Sequence, residues 1–246
     1  MDLITANALI TGAYDQLLSR KERGNATRRS LILATIHLGA RLGFSNVPLR
    51  CIVEVSKSRN ISAIHYHFKG KEGLLREAAR AINAAWPTAI APEATVDVRT
   101  ILAHFLLNLE KLKQAENWAQ DVIPFLARLC LDDAEPAQQA AAELLTPRLG
   151  EIYKAIKPHC PDIPKVLLRL RVSNACLLLL TISANLNECY LAALGCSSAN
   201  RDRAEHLAQA VELAASIVCS EPPSSEGPAA CILVTQASTQ VAAPST

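Results

Sequence analysis

The fourteen residues from Ser62 to Leu75, Ser-Ala-Ile-His-Tyr-His-Phe-Lys-Gly-Lys-Glu-Gly-Leu-Leu, constrain this chain more than any other stretch. They combine an aromatic and imidazole cluster, two lysines and the start of an amphipathic helix. Just upstream, Leu49–Ser56 reads as a short helix and Lys57-Ser-Arg-Asn60 as a polar turn. Helix, short turn, then a helix tipped with hydrogen-bonding side chains is the layout by which helix-turn-helix proteins read DNA. The next helix opens with Lys71, where a cation reaches a phosphate.

The remaining residues favour helices throughout. Half of the 246 residues are apolar and only 4% are aromatic, while Ala and Leu abound. Nowhere does strand-like alternation run between turn dipeptides, so the expected fold is all-α. A first helix starts after Asn25 or Thr27 and ends at Gly43, with Leu31, Ala34, Ile36, Leu38 and Leu42 as its apolar stripe. Pro48 suits the first turn of the second helix. Lys71–Trp86 forms a long helix stopped by Pro87, and Pro87–Thr95 reads as a linker. Beyond it come Val96–Gln114, Asn117–Leu131, Pro136–Ile156, Ile163–Ala193 and Asn200–Cys219, with Pro124 and Pro147 expected to kink or shorten their helices. The organisation is therefore a weakly helical extension (1–26), a helix-turn-helix head (27–86), a helical body (96–219) and a disordered tail (220–246).

Charge divides along the same line. Residues 1–71 carry eleven Lys and Arg against four acids, a net +7, and the remainder carries −5. A basic head on a mildly acidic body fits a polyanion-binding unit joined to a second function. The eight cysteines form no CxxC pair and no metal-ligand spacing. No basic start followed by an apolar run marks a secretion signal, so reduced thiols and a cytoplasmic setting are expected. Asn174–Leu194 is the most apolar stretch, but its polar residues suit a buried helix better than a lipid-exposed span. There is no Gly-rich phosphate loop, GxSxG or HExxH, so neither enzymatic activity nor a cofactor is expected. His65 and His67 lie about 200° apart on a helix and cannot share a metal ion unaided.

Base edges in the major groove are read by directional hydrogen bonds, and thymine methyls by apolar contact. Ser62, His65 and Tyr66 supply the first and Ala63 the second; core filler is the lesser alternative for Tyr66, since aromatics near helix ends often are. Arg28, Arg29, Arg50 and Lys71 would bind phosphates, which set position and most of the affinity. Arg20–Arg23 is either a solvated linker or a minor-groove arm.

The run Arg59-Asn60-x-Ser62-Ala63-Ile64-His65-Tyr66-His67-Phe68-x-Gly70-Lys71-Glu72-Gly73-Leu74-Leu75 resembles the operator-binding head of TetR-family transcriptional regulators. With the first helix and its Gly43-Phe44 ending, the resemblance covers about residues 27–80. It implies that Arg50 opens the second helix against DNA. Ser62, Ala63, His65 and Tyr66 then fall on the exposed face of the recognition helix, His67 and Lys71 on phosphate clamps, and Phe68 on its buried seat. The chain departs from the pattern at Ser56-Lys57, where a small residue and Gly are usual. It also has one extra residue before Phe68, giving the Arg59-Asn60 turn of one family branch. Asn tolerates a left-handed backbone, so Asn60 can stand in for the turn glycine.

The body carries only the family's helical style. The resemblance implies a homodimer through the last two helices and a small apolar effector that releases the operator, which is the behaviour of a repressor. His104, Asn108, Trp118, Asn185 and Asn187 are candidate pocket residues, because polar dots in an apolar cavity suit a small-molecule site. The head would sense that pocket through Lys71–Trp86, the one long helix leaving it. A charge at Leu207 or Val211 would break the dimer. The alternative is a helical protein–protein adaptor whose head has lost DNA binding.

Overall fold

A computed structural model of the chain describes residues 25–58, 60–86, 96–114, 118–186, 188–193 and 202–220. The early helix around Leu3–Leu18, the Arg20–Arg23 run, the Pro87–Thr95 linker, the Gly195–Ala199 break, and the tail after Ser220 lie outside these residues, as do Arg59 and Asn187. Among the described residues the fold is all-α, as expected. Its helices are α1 (Asn25–Leu42), α2 (Leu49–Val55), α3 (Ser62–Phe68), α4 (Lys71–Ala85), α5 (Val98–Gln114), α6 (Ala119–Cys130), α7 (Glu135–Ile156), α8 (Lys165–Ser183), α9 (Glu188–Ala193) and α10 (Arg203–Cys219). Short 3-10 turns at Phe44–Asn46 and Lys157–His159 follow α1 and α7.

Helix α1 is the axle of the molecule. Every residue from Leu31 to Ala40 is buried, not only an apolar stripe, while Leu42, assigned to that stripe, is exposed. The reason is that α1 packs against α2, α3 and α4 on one side and against α6 on the other. Its buried polar groups are satisfied, as burial requires. The Thr35 hydroxyl donates to the Leu31 carbonyl at 2.8 Å, and His37 Nδ1 meets Asp121 of α6 at 2.8 Å. Arg128 Nε of α6 donates to the Ala40 carbonyl at 2.8 Å.

Helix α4 makes the second junction by packing on α7. At its end Trp86 is buried, with the Arg148 guanidinium 4.1 Å above its ring. Arg148 also donates to Asn83 at 3.0 Å and to the Leu144 carbonyl at 2.6 Å. The head is thus joined to the body by two helices, so the expectation that α4 alone carries the signal is corrected.

Helices α6 and α7 run on through Pro124 and Pro147. The Ile163–Ala193 stretch, by contrast, is not one helix. It stops at Ser183, where Asn185 takes a left-handed φ of 55°. Leu186 N–H then returns to the Thr181 carbonyl and Asn185 N–H to that of Ile182, which closes a Schellman cap. Helix α8 is long and apolar enough by composition to cross a bilayer, at mean hydropathy 1.6, yet half of it is buried against other helices. Its closest partner is α10. There the buried Arg171 guanidinium donates to the carbonyls of Val218 (3.2 Å) and Ser220, the usual place for a cation at a helix C-terminus.

A knot of charges ties α5, α8 and α10. Glu110 accepts from Ser183 Oγ (2.7 Å), Lys113 (3.0 Å) and Arg203 (2.8 Å). Burial pushes its carboxyl up, but these donors outweigh that and hold it below the ordinary value.

Candidate nucleic-acid interface

The helix-turn-helix is built by its turns. Ser58 N–H bonds the Val53 carbonyl and Lys57 N–H that of Glu54, a Schellman cap with Lys57 at the position usually held by Gly. Lys57 has φ 56°, whereas Asn60 is not left-handed, which corrects the role expected of Asn60. Asn60 instead starts α3: its side-chain oxygen accepts from Ser62 N–H at 3.0 Å and its carbonyl from Ala63 N–H at 3.1 Å. After α3, Lys69 (φ 62°) and Gly70 (φ 126°) reverse the chain into α4. A Cβ on Gly73 would sit 1.7 Å from the Phe68 carbonyl oxygen, so only Gly lets α4 pass this close to the end of α3.

Ile64 and Phe68 seat α3 in the core, while Ser62, His65 and Tyr66 point outward. Tyr66 is 84% exposed, which settles against its being core. Ala63 and His67 are half-buried beside it, with the His67 ring edge-on to Tyr66 at 4.9 Å. Arg50 and Asn60 are exposed on the same helix-turn-helix. Two cations not anticipated, Lys57 and Lys69, are exposed at the two ends of α3. Their sequence signal was positive charge in the turns that bracket a short helix.

The other expected phosphate ligands are partly engaged elsewhere. Arg28 pairs with Glu77 of α4 and lies 5.6 Å over the Phe68 ring, bracing α3 from behind. Arg29 is half-buried. Lys71 Nζ donates to the Ser45 carbonyl at 3.0 Å and sits 4.8 Å over the Phe44 ring. Partial burial lowers its pKa, and nearby Asp132 opposes that shift. Asp132, in the turn after α6, itself accepts from Ser45 N–H at 3.2 Å and Ser45 Oγ at 2.5 Å. The cation that opens α4 is thereby connected through Ser45 to the body.

Of the expected pocket residues, four are described. His104 is exposed on α5, Asn108 is half-buried one turn on, and Trp118 is buried at the start of α6. Asn185 is exposed and accepts from Arg203 at 2.6 Å. An open groove of about 550 Å³ does lie where head meets body. Leu42, Ser45, Arg128, Leu131, Asp132 and Leu186 are among its walls.

No family model and no curated protein matches the chain. Among solved structures it is similar to full-length native TylP, a TetR regulator from Streptomyces fradiae. That match has 16% identity and a TM-score of 0.49 over 89% of this chain and 97% of that one. It is also similar to a TetR-family transcriptional regulator from Streptomyces coelicolor, with 14% identity and a TM-score of 0.41 over 89% of this chain and 100% of that one.

Proposed function

We propose that this protein is a TetR-like DNA-binding transcriptional regulator, a repressor that releases its operator when a small apolar effector binds. The observation that carries this reading is α3 itself. Buried Ile64 and Phe68 hold it firmly, and Ser62, His65 and Tyr66 project from it into solvent. A ring with a hydroxyl, so exposed on a short, well-seated helix, is free to enter a groove and to hydrogen-bond a base edge. Arg50, Lys57 and Lys69 surround it with cations for the phosphates.

Two copies related by a two-fold axis would set their α3 helices roughly 34–36 Å apart, on successive major-groove turns. The effector acts only through its different affinity for the DNA-competent and released states. The groove at Leu42, Leu131 and Leu186 is the candidate seat, because it offers two exposed leucines beside the charged Arg128, Asp132 and Asp133, with Ser45 and Asp132 on the joint. A ligand wedged there would part Ser45 from Asp132 and shift α4 at Lys71.

Footprinting on DNA flanking the protein's own gene tests the reading. Two protected half-sites are expected, with affinity falling steeply as salt rises. Absence of any DNA binding at low salt would overturn it and favour a protein–protein adaptor.

A further inference from the structure

An open cavity of about 490 Å³ lies away from the head, lined by Asp97, Arg99, His159, Ser216, Cys219 and Ser220 among others. It occupies the space between the start of α5, the 3-10 turn after α7 and the end of α10. Cys219 is exposed on its wall, and Cys160, which directly follows the turn, is buried behind it. The two thiols are close enough to interact, and Cys219 adds to the upward push that burial gives Cys160. Charged groups of both signs lie around them: Arg171 donates to the carbonyls on both sides of Cys219 and is within electrostatic reach of Cys160, while Arg99, paired with Glu212 at 2.7 Å, and Asp97 line the cavity. We infer that Cys160 and Cys219 form a dithiol oxidised by small hydroperoxides, a modification site independent of the DNA-facing surface.

The division of labour follows from exposure and environment. Cys219 is exposed on the cavity wall, where a small hydroperoxide can reach it, and the thiolate is the form that reacts. Its thiolate attacks the distal peroxide oxygen, the O–O bond breaks, and the departing oxygen takes a proton to leave as water or an alcohol. Cys219 is then a sulfenic acid. Burial raises the pKa of Cys160, which suits it to wait as the resolving thiol. Its sulfur attacks the sulfenic sulfur, its proton leaves with the hydroxyl as water, and the disulfide forms. Two thiols lose two electrons and one peroxide is reduced. Two other described cysteines are poorer candidates: burial pushes Cys176 up to about 12 and Cys130 up to about 11.

Full-length protein treated with a slight excess of hydrogen peroxide, blocked with iodoacetamide and cut with trypsin plus a Glu-specific protease, tests this. The fragments 155–165 and 213–226 carry Cys160 and Cys219 as their only cysteines. The expected product is a cross-link between them within one chain, lost on adding dithiothreitol. In Cys160→Ser the cross-link should vanish and Cys219 should be captured by dimedone as a sulfenic acid. The inference fails if both fragments stay alkylated while other cysteines oxidise, or if the cross-link forms only between chains. It fails equally if folded Cys160→Ser, checked by circular dichroism, shows no dimedone adduct at Cys219.

Discussion

Gly39 on α1 lies directly against the ring of Phe125 on α6, so that a Cβ at position 39 would stand 2.4 Å from a ring carbon. That contact, with His37–Asp121 and Arg128–Ala40, makes α1 a shared element of head and body. Gly39→Ala should force α1 and α6 apart and cost about 1–3 kcal/mol, the usual range for overpacking. Urea unfolding would show it as a lower midpoint. An unchanged midpoint would mean that the ring yields freely and the junction is loose.

Gly73→Ala should be more damaging, because the obstacle is the Phe68 carbonyl and not a movable side chain. The corner between α3 and α4 would have to open, unseating Phe68. Loss of DNA binding together with a drop in melting temperature is expected. Tyr66→Ala provides the contrast. With its ring exposed, the melting temperature should hold while operator affinity falls by about 1–3 kcal/mol, the worth of a good base contact. If stability fell and affinity stayed, Tyr66 would not face DNA.

Lys57→Gly is expected to stabilise the protein. A left-handed backbone costs an L-residue about 1–2 kcal/mol, of which glycine's greater freedom in the unfolded chain returns about 0.5–1. The net gain of about 0.5–1 kcal/mol would appear as a higher urea midpoint with unchanged slope. A neutral or destabilising result would mean that the Schellman cap gains nothing from glycine here.

These substitutions mark what the sequence made legible. The head was readable because its short helices and its apolar seat, Ile64 and Phe68, are encoded locally. Lys57 was misjudged because a lysine in a left-handed cap carries no local signal, whereas Asn60 carries a misleading one. The burial of α1 on all sides depends on α6, about 80 residues away, and a stripe of apolar residues cannot report a second partner. The break at Asn185 was hidden inside an apolar run whose composition suited a continuous helix. The exposure of His104 on α5 is set by how the helices pack, which residue type alone does not report.

The Ser45–Asp132 link predicts a pH-dependent contribution. Partial burial pushes the Asp132 carboxyl up, but hydrogen bonds from Ser45 and from Ala134 N–H, with Lys71 nearby, bring it below the ordinary 3.8. A lowered carboxyl stabilises the fold above its unfolded value and ceases to do so as pH falls through the folded one. Asp132→Asn should therefore lower stability at neutral pH, and the gap to the unsubstituted protein should narrow below about pH 4. A gap that is constant with pH would show that the carboxylate charge plays no part in the link.

The dimer proposed for DNA binding has a specific footprint. Val211, expected at the interface, is buried in the chain's own core, and Leu207 is half-buried, so neither is a clean probe. The large exposed apolar residues on the two packed helices are Val166 and Leu170 of α8 and Leu213 of α10. A four-helix bundle formed with a second copy would cover that face. Leu170→Glu and Leu213→Glu should each leave the helical circular dichroism spectrum intact while shifting the mass by light scattering from dimer to monomer at micromolar concentration. Operator affinity should fall with it, because a monomer holds only one half-site. Val211→Glu should instead unfold the chain, since it buries a charge without a partner. A dimer that survives both leucine substitutions would place the interface elsewhere and remove the two-fold geometry on which the half-site spacing rests.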